Sequence, residues 1–281
     1  MAKRRLRATN APNRPPPVRR LNDSANRPPP SPTNGLPSRG SNPNLLLAAL
    51  ADSEYARLSP TLDRVFVTVK QLLQKPGEMV QHMYFPGDGF CSELAVLEDG
   101  TMVEAAIVGR EGVAGLLNMS NGGPMASTAT MVQGPMTTCY RMTAVAFREE
   151  MERRETFYAA VSNYTQVLTR LVMQSTACNA VHNVEQRLAR WLLTAHDQMR
   201  KDSFPLTQEF VAMMLGVARP TVAIVAGKLQ KAGLIKYHRG HVTIVDREQL
   251  ETAACECYRT VADLLAGIPR IRPPSRAAAG P

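Results

Sequence analysis

Five cations without an acidic neighbour are the side chains of this sequence with the clearest chemistry. Residues 210–245 contain no Asp or Glu, and the same stretch carries Arg219, Lys228, Lys231, Lys236 and Arg239. A run of cations with no anion attracts phosphate groups. The stretch therefore predicts a surface that binds double-stranded DNA.

Residues 208–227 predict the two helices that would position these cations. Gly216 permits the positive φ that a sharp turn requires, and Ala212 is small enough for two helices to cross closely. Apolar residues fill the positions that such a pair must bury: Val211, Leu215, Val217, Val222 and Val225. We predict a helix-turn-helix, and an ordinary helical hairpin in a core is the alternative.

The side chains around this pair have distinct predicted roles. Thr207 can cap the first helix and, with Gln208, contact the DNA backbone. Pro220 suits the first turn of the second helix. On that helix Thr221 would meet a base, a thymine methyl group or a phosphate, Ile224 would meet a thymine methyl group, and Lys228 a phosphate. The predicted DNA-binding residues are Thr207, Gln208, Arg219, Thr221, Ile224, Lys228 and Arg239.

Two short strands after the second helix predict a wing. Residues 234–237 and 242–245 are rich in β-branched and aromatic side chains, and residues 238–241 form the turn between them. Arg239 lies at the tip of this turn. It either contacts a phosphate or belongs to a hairpin that only covers the core.

The middle of the chain predicts a different architecture. Short apolar runs separated by Gly, Pro and Asp recur over residues 65–147, which is typical of a β-roll or barrel. Residues 144–180 then predict a long helix, and residues 184–199 a second one. The long helix carries a narrow apolar stripe: Phe157, Val161, Tyr164, Leu168, Leu171 and Cys178. We predict that this stripe pairs with a second copy, and packing onto the roll of the same chain is the alternative.

The net charge of +9 over 281 residues is concentrated at the ends of the chain. Residues 1–43 hold nine Lys or Arg, one Asp and ten Pro, and residues 269–281 add three Arg. Such a basic, Pro-rich start predicts a disordered tail that either holds DNA weakly or only aids solubility. Five scattered cysteines and no secretory or membrane-spanning segment indicate the cytoplasm. Cys255 and Cys257 would point apart on a helix, so we predict no metal site.

The order of roll, long helix and winged helix resembles the Crp/Fnr family of bacterial transcription regulators over residues 44–267. The roll contributes Tyr84-Phe85-Pro86 with Gly87 and Gly89, the run GREGVAG at residues 109–115, and Gly134. The resemblance implies an α+β fold: an N-terminal β-roll like the cyclic-nucleotide-binding jelly roll, a long dimerisation helix and a C-terminal winged helix-turn-helix. The predicted divisions are residues 1–43, 44–150, 151–182, 183–268 and 269–281.

This resemblance also implies how the protein would bind DNA. Family members are homodimers on palindromic sites, with each second helix in a major groove and half-sites about one helical turn apart. Arg219 matches the Arg that they direct at guanine, whose O6 and N7 a guanidinium can bind together; a phosphate contact alone is the alternative. Pro220 and Ile224 replace an acid and an Arg, so the target sequence should differ. RNA polymerase is the expected further partner.

The roll should contain the effector site, at Gly115, Leu116, Ala126 and Ser127. Cyclic-AMP-binding members carry a Gly-Glu pair followed by Arg-Ser or Arg-Thr, whereas Leu116 takes the Glu position here and Met125 or Ala126 the Arg position. Residues 112–140 contain no Arg or Lys, so a cyclic phosphate would lack a cation, and a backbone anion nest at residues 122–123 would be weak. We predict that cyclic AMP is not the effector.

Other chemistries find less support in the sequence. No Cys precedes Cys91, so an N-terminal iron–sulfur site is not indicated, and His82 is a lone imidazole for haem. The five histidines are dispersed and no Walker loop or HExxH motif is present, so we expect no enzyme and no cofactor. A small-ligand sensor with weak or non-specific DNA binding is the alternative function.

Overall fold

The computed structural model of this protein describes residues 36–119 and 125–268. Most of the predicted N-terminal tail (residues 1–35), the predicted C-terminal tail (269–281) and the turn at residues 122–123 lie outside the described residues. The helices are α1 (Leu45–Ala48), α2 (Asp52–Leu58), α3 (Leu116–Met119), α4 (Ala144–Glu152), α5 (Thr156–Val181), α6 (Val184–Met199), α7 (Gln208–Leu215), α8 (Arg219–Lys231), α9 (Arg247–Ala253) and α10 (Cys257–Ala266). The strands are β1 (Asp63–Val65), β2 (Leu72–Gln74), β3 (His82–Pro86), β4 (Cys91–Val96), β5 (Met102–Val108), β6 (Ala129–Val132), β7 (Cys139–Thr143), β8 (Ser203–Pro205), β9 (Ile235–His238) and β10 (His241–Ile244).

The predicted α+β fold with an N-terminal roll, a long helix and a winged helix-turn-helix is confirmed. The roll consists of two antiparallel sheets with strand orders β1-β7-β3 and β2-β6-β4-β5. In the four-stranded sheet alternate side chains enter different cores, because successive residues of a strand point to opposite faces. Ala106 and Val108 of β5 pack with α5, whereas Ile107 packs with α6 and the C-terminal domain. The roll and the C-terminal domain thus share this sheet as a common wall.

Residues 36–43 belong to the folded body, which corrects the predicted extent of the tail. They include a 3-10 turn, Arg39–Ser41, and Asn42 is buried with its Nδ2 donating to the Tyr55 hydroxyl at 3.0 Å. Asn44 then caps α1 and donates from Nδ2 to the carbonyl oxygens of Pro86 and Gly112. These bonds attach the start of the body to the end of β3 and to the loop at Gly112.

The long helical segment predicted over residues 144–180 is two helices, α4 and α5, separated at Arg154, whose φ is +59°. All six residues of the predicted self-pairing stripe, Phe157, Val161, Tyr164, Leu168, Leu171 and Cys178, are buried within their own chain. The first five join the core between α5 and the roll. The prediction that they pair with a second copy is therefore wrong: a stripe of this spacing serves equally well against a helix's own domain.

The geometry expected for two of the cysteines is also corrected. Helix α10 begins at Cys257, so Cys255 precedes the helix and the argument that the two thiols point apart does not apply. Both are buried beside Cys178, and the Sγ atoms of Cys178 and Cys255 are 3.6 Å apart.

The C-terminal domain begins at a well-formed cap. Asn183 and Gln186 make reciprocal side-chain bonds to the backbone at the start of α6. The wing sheet has the order β8-β10-β9, and β8 was not predicted from the sequence. In the described part of the chain no single helix is long and apolar enough to cross a membrane. Helices α7 and α8 have the required length and composition only when they are counted together, and a 107° bend separates them.

Candidate nucleic-acid interface

The two helices predicted from residues 208–227 form a helix-turn-helix. Helix α7 ends at Gly216, where φ is +61° and ψ is +40°, and α8 starts three residues later after the 107° bend. Only glycine adopts that backbone conformation without steric cost, which is why the turn can be so short. Thr207 caps α7 as predicted, since its side chain accepts from the Phe210 backbone N–H at 3.3 Å. At the other end the Arg187 guanidinium donates to the Leu215 carbonyl.

Helix α8 has an inner and an outer face. Val222, Val225 and Leu229 are buried and anchor the helix on α6 and α7. The outer face exposes Arg219, Ile224 and Lys228, while Thr221 is half-buried. Ile224 is 64% exposed, and a large apolar side chain presented to water is better satisfied by an apolar partner such as a thymine methyl group.

Small residues on the outer face of α8 allow this helix to approach a DNA groove closely. Ala223 and Gly227 are both exposed there, and they directly precede Ile224 and Lys228 in the sequence. Nothing lies within 4 Å of where a Cβ of Gly227 would be, so the protein's own packing does not require this glycine. A small side chain at this position keeps α8 slim on the side that would meet DNA.

Arg219 occupies the start of α8, where the backbone itself attracts anions. The first turn contains no acid and no side-chain cap. Pro220 has no backbone N–H, and the N–H groups of Thr221 and Val222 donate to the Ala218 carbonyl oxygen at 3.0 and 3.4 Å. A helix N-terminus carries partial positive charge, and Arg219 adds a full charge beside it. That combination is unfavourable in the free protein and becomes favourable when phosphates or guanine acceptors are near.

Lys228 has an acidic neighbour that the acid-free stretch did not predict. Its Nζ lies 3.2 Å from Oε2 of Glu185, which belongs to α6 and is 43 residues away in the sequence. Both side chains are solvent-exposed, so the pair contributes little to stability and can open when a phosphate competes. Lys228 is thus accessible for DNA but not unpaired in the free protein.

The wing is a tight hairpin that ends in Arg239. His238 of β9 pairs with His241 of β10, so the turn is only Arg239 and Gly240, with φ values of +46° and +79°. The predicted turn over residues 238–241 is therefore two residues long, and each predicted strand is displaced by one residue. Two positive φ values define a type I′ turn, which favours Asn or Gly over Arg at its first position. Arg239 is exposed at this tip.

Arg239→Asn is expected to separate the charge of the wing from its shape. Asn tolerates positive φ, so stability should be unchanged or higher by up to about 1 kcal/mol. DNA affinity should fall alike for all sequences, and the dependence of log affinity on log salt should lose about one unit per wing. Arg239→Lys, which keeps the charge, is the control. Unchanged affinity and salt dependence in Arg239→Asn would mean that the wing only covers the core.

The helix-turn-helix is attached to the roll through α7 and the turn. A Cβ on Gly216 would lie 3.3 Å from Val103 of β5, and Gln133 Nε2 donates to Met214 Sδ at 2.7 Å. On the neighbouring helix Trp191 Nε1 donates to Glu104 Oε1 at 2.8 Å. The roll therefore determines where α8 is presented, a relationship that no local pattern in the sequence indicated.

The predicted effector positions in the roll are occupied by the chain's own side chains. The Gly115 N–H donates to Glu93 Oε1 at 2.6 Å, and a Cβ at this residue would meet the Gln74 amide. Leu116 and Ala126 are buried, and Ser127 is exposed with its N–H donating to Asn118 Oδ1 at 2.9 Å. Asn118 also donates to Gln74 Oε1. Hydrogen bonds within the chain thus connect Gly115 and α3 to β2 and β4.

A cavity lies elsewhere in the molecule, away from the predicted effector positions. It has a volume of about 510 Å³ and is lined mainly by α1, the middle of α5 and the end of α10. None of the four predicted effector residues lines it. Tyr164 and Glu111 do, and the buried Tyr164 hydroxyl has no hydrogen-bond partner among the described residues.

The comparisons with known proteins agree with this architecture. The model of the Crp-like helix-turn-helix domain matches residues 186–253. This part of the chain is therefore a Crp-like helix-turn-helix domain. Among solved structures it is similar to a Crp/Fnr-family regulator from Eubacterium rectale (18% identity, TM-score 0.58, 74% of this chain and 96% of that one). It is also similar to FixK2 from Bradyrhizobium japonicum (15%, 0.57, 69% and 98%) and to the c-di-GMP-responsive regulator CLP from Xanthomonas campestris (14%, 0.55, 69% and 99%). No curated protein matches by sequence.

Sequence motifs do not indicate three side chains that contact distant residues in or beside the Crp-like domain. Arg187 caps α7, Glu185 holds Lys228, and Glu104 holds Trp191. Each joins residues far apart in the sequence, so no motif could have identified them.

Burial shifts the acidity of two carboxyl groups in the shared wall of this Crp/Fnr-type fold. Removal from water raises the pKa of Glu104 to about 7, although the bonds from Ser92 and Trp191 and the charge of Arg190 oppose the shift. Burial likewise raises the pKa of Glu93 to about 7, against the bonds from Gly115 and Thr130. Since unfolded glutamates ionise near 4.5, the unfolded state loses these protons first as pH rises. The free energy of unfolding should therefore fall between about pH 4.5 and 7.

Glu104→Gln is expected to flatten this pH dependence. The amide keeps an oxygen that accepts from Trp191 Nε1, and it cannot ionise. The fall in the free energy of unfolding between pH 5 and 8 should therefore be smaller than in the wild type by roughly 2 kcal/mol. Denaturant unfolding at the two pH values measures the effect. Glu98→Gln, an exposed change just after β4, is the control and should leave the dependence intact. A Glu104→Gln protein that loses as much stability as wild type over this range would contradict the assignment.

Proposed function

We propose that this protein is a homodimeric transcription regulator that binds a palindromic DNA site in a sequence-specific way. The observation that carries the proposal is the outer face of α8, which exposes Arg219 and Ile224 beside small residues and contains no acid. A helix of this shape and charge fits the major groove.

Within that groove the side chains divide between bases and phosphates. Arg219 would bind guanine through O6 and N7, and Ile224 and Thr221 would contact thymine methyl groups or nearby edges. Lys228 and Arg239 would neutralise phosphates on either side, with Thr207 and Gln208 contacting the DNA backbone from the start of α7. Because Ile224 offers no hydrogen bond, the consensus should contain an A·T pair where α8 comes nearest.

The outer face of α5 supports the homodimer. Residues spaced alternately three and four apart line this face and are exposed or half-exposed: Ala159, Ser162, Gln166, Thr169, Met173, Thr176 and Ala180. Arg170 is the single charged residue of this 26-residue helix. An exposed helix face in water usually carries several charges, so small and uncharged side chains at this spacing favour a second α5 as partner.

Such a dimer would present two copies of α8 to adjacent turns of one side of the duplex. This symmetry is the reason for expecting a palindrome with half-sites about one helical turn apart. RNA polymerase is the expected further partner, since a regulator bound near a promoter acts on that enzyme, in the cytoplasm.

We further propose that cyclic AMP does not control this regulator. Gln74 and Glu93 take the space and the backbone N–H beside Gly115, and Leu116 offers no acceptor for a ribose. CLP is described as responsive to c-di-GMP, so a Crp/Fnr fold can respond to a different nucleotide. In this chain residues 112–140 contain no Arg or Lys that could bind the phosphate group of such a ligand. The 510 Å³ cavity is the better location for a small effector, because Tyr164 lines it and the hydroxyl of Tyr164 has no hydrogen-bond partner in the part of the chain that the structure describes.

Selection of bound genomic fragments tests the main proposal. Fragments recovered with the full-length protein should share an inverted repeat, and a duplex carrying it should bind at least about a thousandfold more tightly than a scrambled one at the same salt. Equal affinity for scrambled duplexes would instead support the alternative, a ligand sensor with non-specific DNA binding. A thermal-shift screen of metabolites would then identify that ligand. The ligand should raise the thermal midpoint of the wild-type protein, and this rise should be smaller or absent in Tyr164→Phe.

A further inference from the structure

Four side chains able to bind a metal meet where the long helix ends. Cys178 lies in the last turns of α5 and His182 directly follows that helix. Cys255 and Cys257 come from the junction between α9 and α10, after the wing. The three cysteines are buried, and together they form a cluster separate from the two large cores.

The spacing of the four ligand atoms suits one tetrahedral ion. All four atoms lie within 4.8 Å of one another, and two of the distances, Cys178 Sγ to Cys255 Sγ and Cys257 Sγ to His182 Nδ1, are 3.6 Å. In a zinc site with Zn–S near 2.3 Å and Zn–N near 2.0 Å, neighbouring ligand atoms are about 3.5–3.8 Å apart. An iron–sulfur cluster would hold its cysteines further apart, because several iron atoms lie between them.

The groups around the four ligands are those that metal sites use. His182 directs Nδ1 at the cluster, while its Nε2 lies 3.1 Å from Oε2 of Glu256. A carboxylate on the outer nitrogen fixes the ring and its tautomer, as in carboxylate–histidine–zinc arrangements. The Gln174 amide donates to Cys257 Sγ at 3.0 Å, which favours the thiolate form.

Two buried arginines supply the balancing charge. Three thiolates and one zinc ion carry a net charge of −1, which is costly to bury alone. Arg187 interacts electrostatically with Cys178 and Cys255, and Arg190 with Cys178. The Nε atoms of both arginines are buried and have no hydrogen-bond partner among the described residues.

We propose that Cys178, His182, Cys255 and Cys257 form a structural Zn²⁺ site. Three thiolates and an imidazole are the ligands of closed, four-coordinate zinc centres, which have no open position for catalysis. The ion would fasten the end of α5 to the segment that follows the wing. It would thereby hold the joint between α5 and α6, and with it the position of the DNA-binding domain.

Metal analysis of the full-length protein tests this site. Protein expressed with zinc in the medium, without a metal-binding tag, and purified under reducing conditions should contain about one zinc per chain. Cys255→Ser and His182→Ala should lower the zinc content at least roughly tenfold. Cys139→Ala removes an equally buried thiol from the roll and is the matched control, expected to keep its zinc.

A second measurement keeps the test independent of whether the variants fold. Wild-type protein stripped of metal and reloaded with Co²⁺ should develop thiolate-to-cobalt charge-transfer and visible bands typical of tetrahedral coordination. Chelation should also lower its thermal midpoint. Wild-type protein without zinc and without the cobalt bands would overturn the proposal, as would a Cys178–Cys255 disulfide in freshly purified, metal-free protein. Neither result depends on DNA binding, so the regulator proposal stands or falls separately.

Discussion

Met173→Glu should convert the protein from a dimer to a monomer. Met173 is 67% exposed in the single chain and lies on the uncharged outer face of α5. Two symmetry-related helices would bring two such carboxylates together in a dry interface, where unpaired like charges are strongly unfavourable. Light scattering at micromolar concentration should give the mass of one chain, and operator binding should become too weak to detect.

The fold of each Met173→Glu chain should survive, since the side chain makes little contact with its own domain. Circular dichroism and the thermal midpoint in the monomeric state check this. Val145→Glu introduces the same charge at an equally exposed apolar position, 61% exposed on α4, and should leave the dimer intact. If Met173→Glu remains dimeric, or wild type is itself a monomer, the proposed interface is incorrect.

Arg219→Ala should relax sequence preference at one base pair in each half-site. A bidentate contact from a guanidinium to guanine is worth roughly 1–3 kcal/mol of discrimination against other bases. The variant should therefore bind the best operator about ten- to a hundredfold more weakly, and bind the operator mutated at that base almost as well. Affinity measured on a panel of single-base operator variants provides the comparison.

Two further variants separate base recognition from simple charge. Arg219→Lys keeps the cation but cannot form the paired hydrogen bonds, so it should retain the salt dependence and lose the discrimination. Lys228→Ala should weaken all sequences alike and lower the salt dependence by about one unit per site. If Arg219→Ala behaves like Lys228→Ala, with preference intact, Arg219 contacts only phosphate.

The features that could be predicted from the sequence are those determined by neighbours along the chain. The helix-turn-helix follows from a glycine between two amphipathic segments, and Gly216 adopts the expected positive φ. The roll follows from short apolar runs between turn residues. These signals are local, so one sequence carries them without an alignment.

What could not be predicted depends on contacts between distant residues. The spacing of the apolar stripe of α5 does not determine whether this helix packs on its own roll or on a second copy, and in the structure it packs on the roll. Lys228 and Glu185, and likewise Cys178 and Cys255, meet only after the chain has folded back on itself. The sequence around Cys255 and Cys257 predicts one helix over both residues, whereas the helix begins at Cys257.

The four-stranded sheet lies between two cores, and this makes the halves of the molecule hard to separate. Leu94 and Met131 point out of the roll toward α6, which covers them. A fragment that ends after α5 would therefore expose both side chains to water. Replacement of the C-terminal domain by a different one would also require new side chains on the side of the four-stranded sheet that packs against it. For the same reason, heat or denaturant should unfold the roll and the helix-turn-helix domain together, in a single cooperative transition.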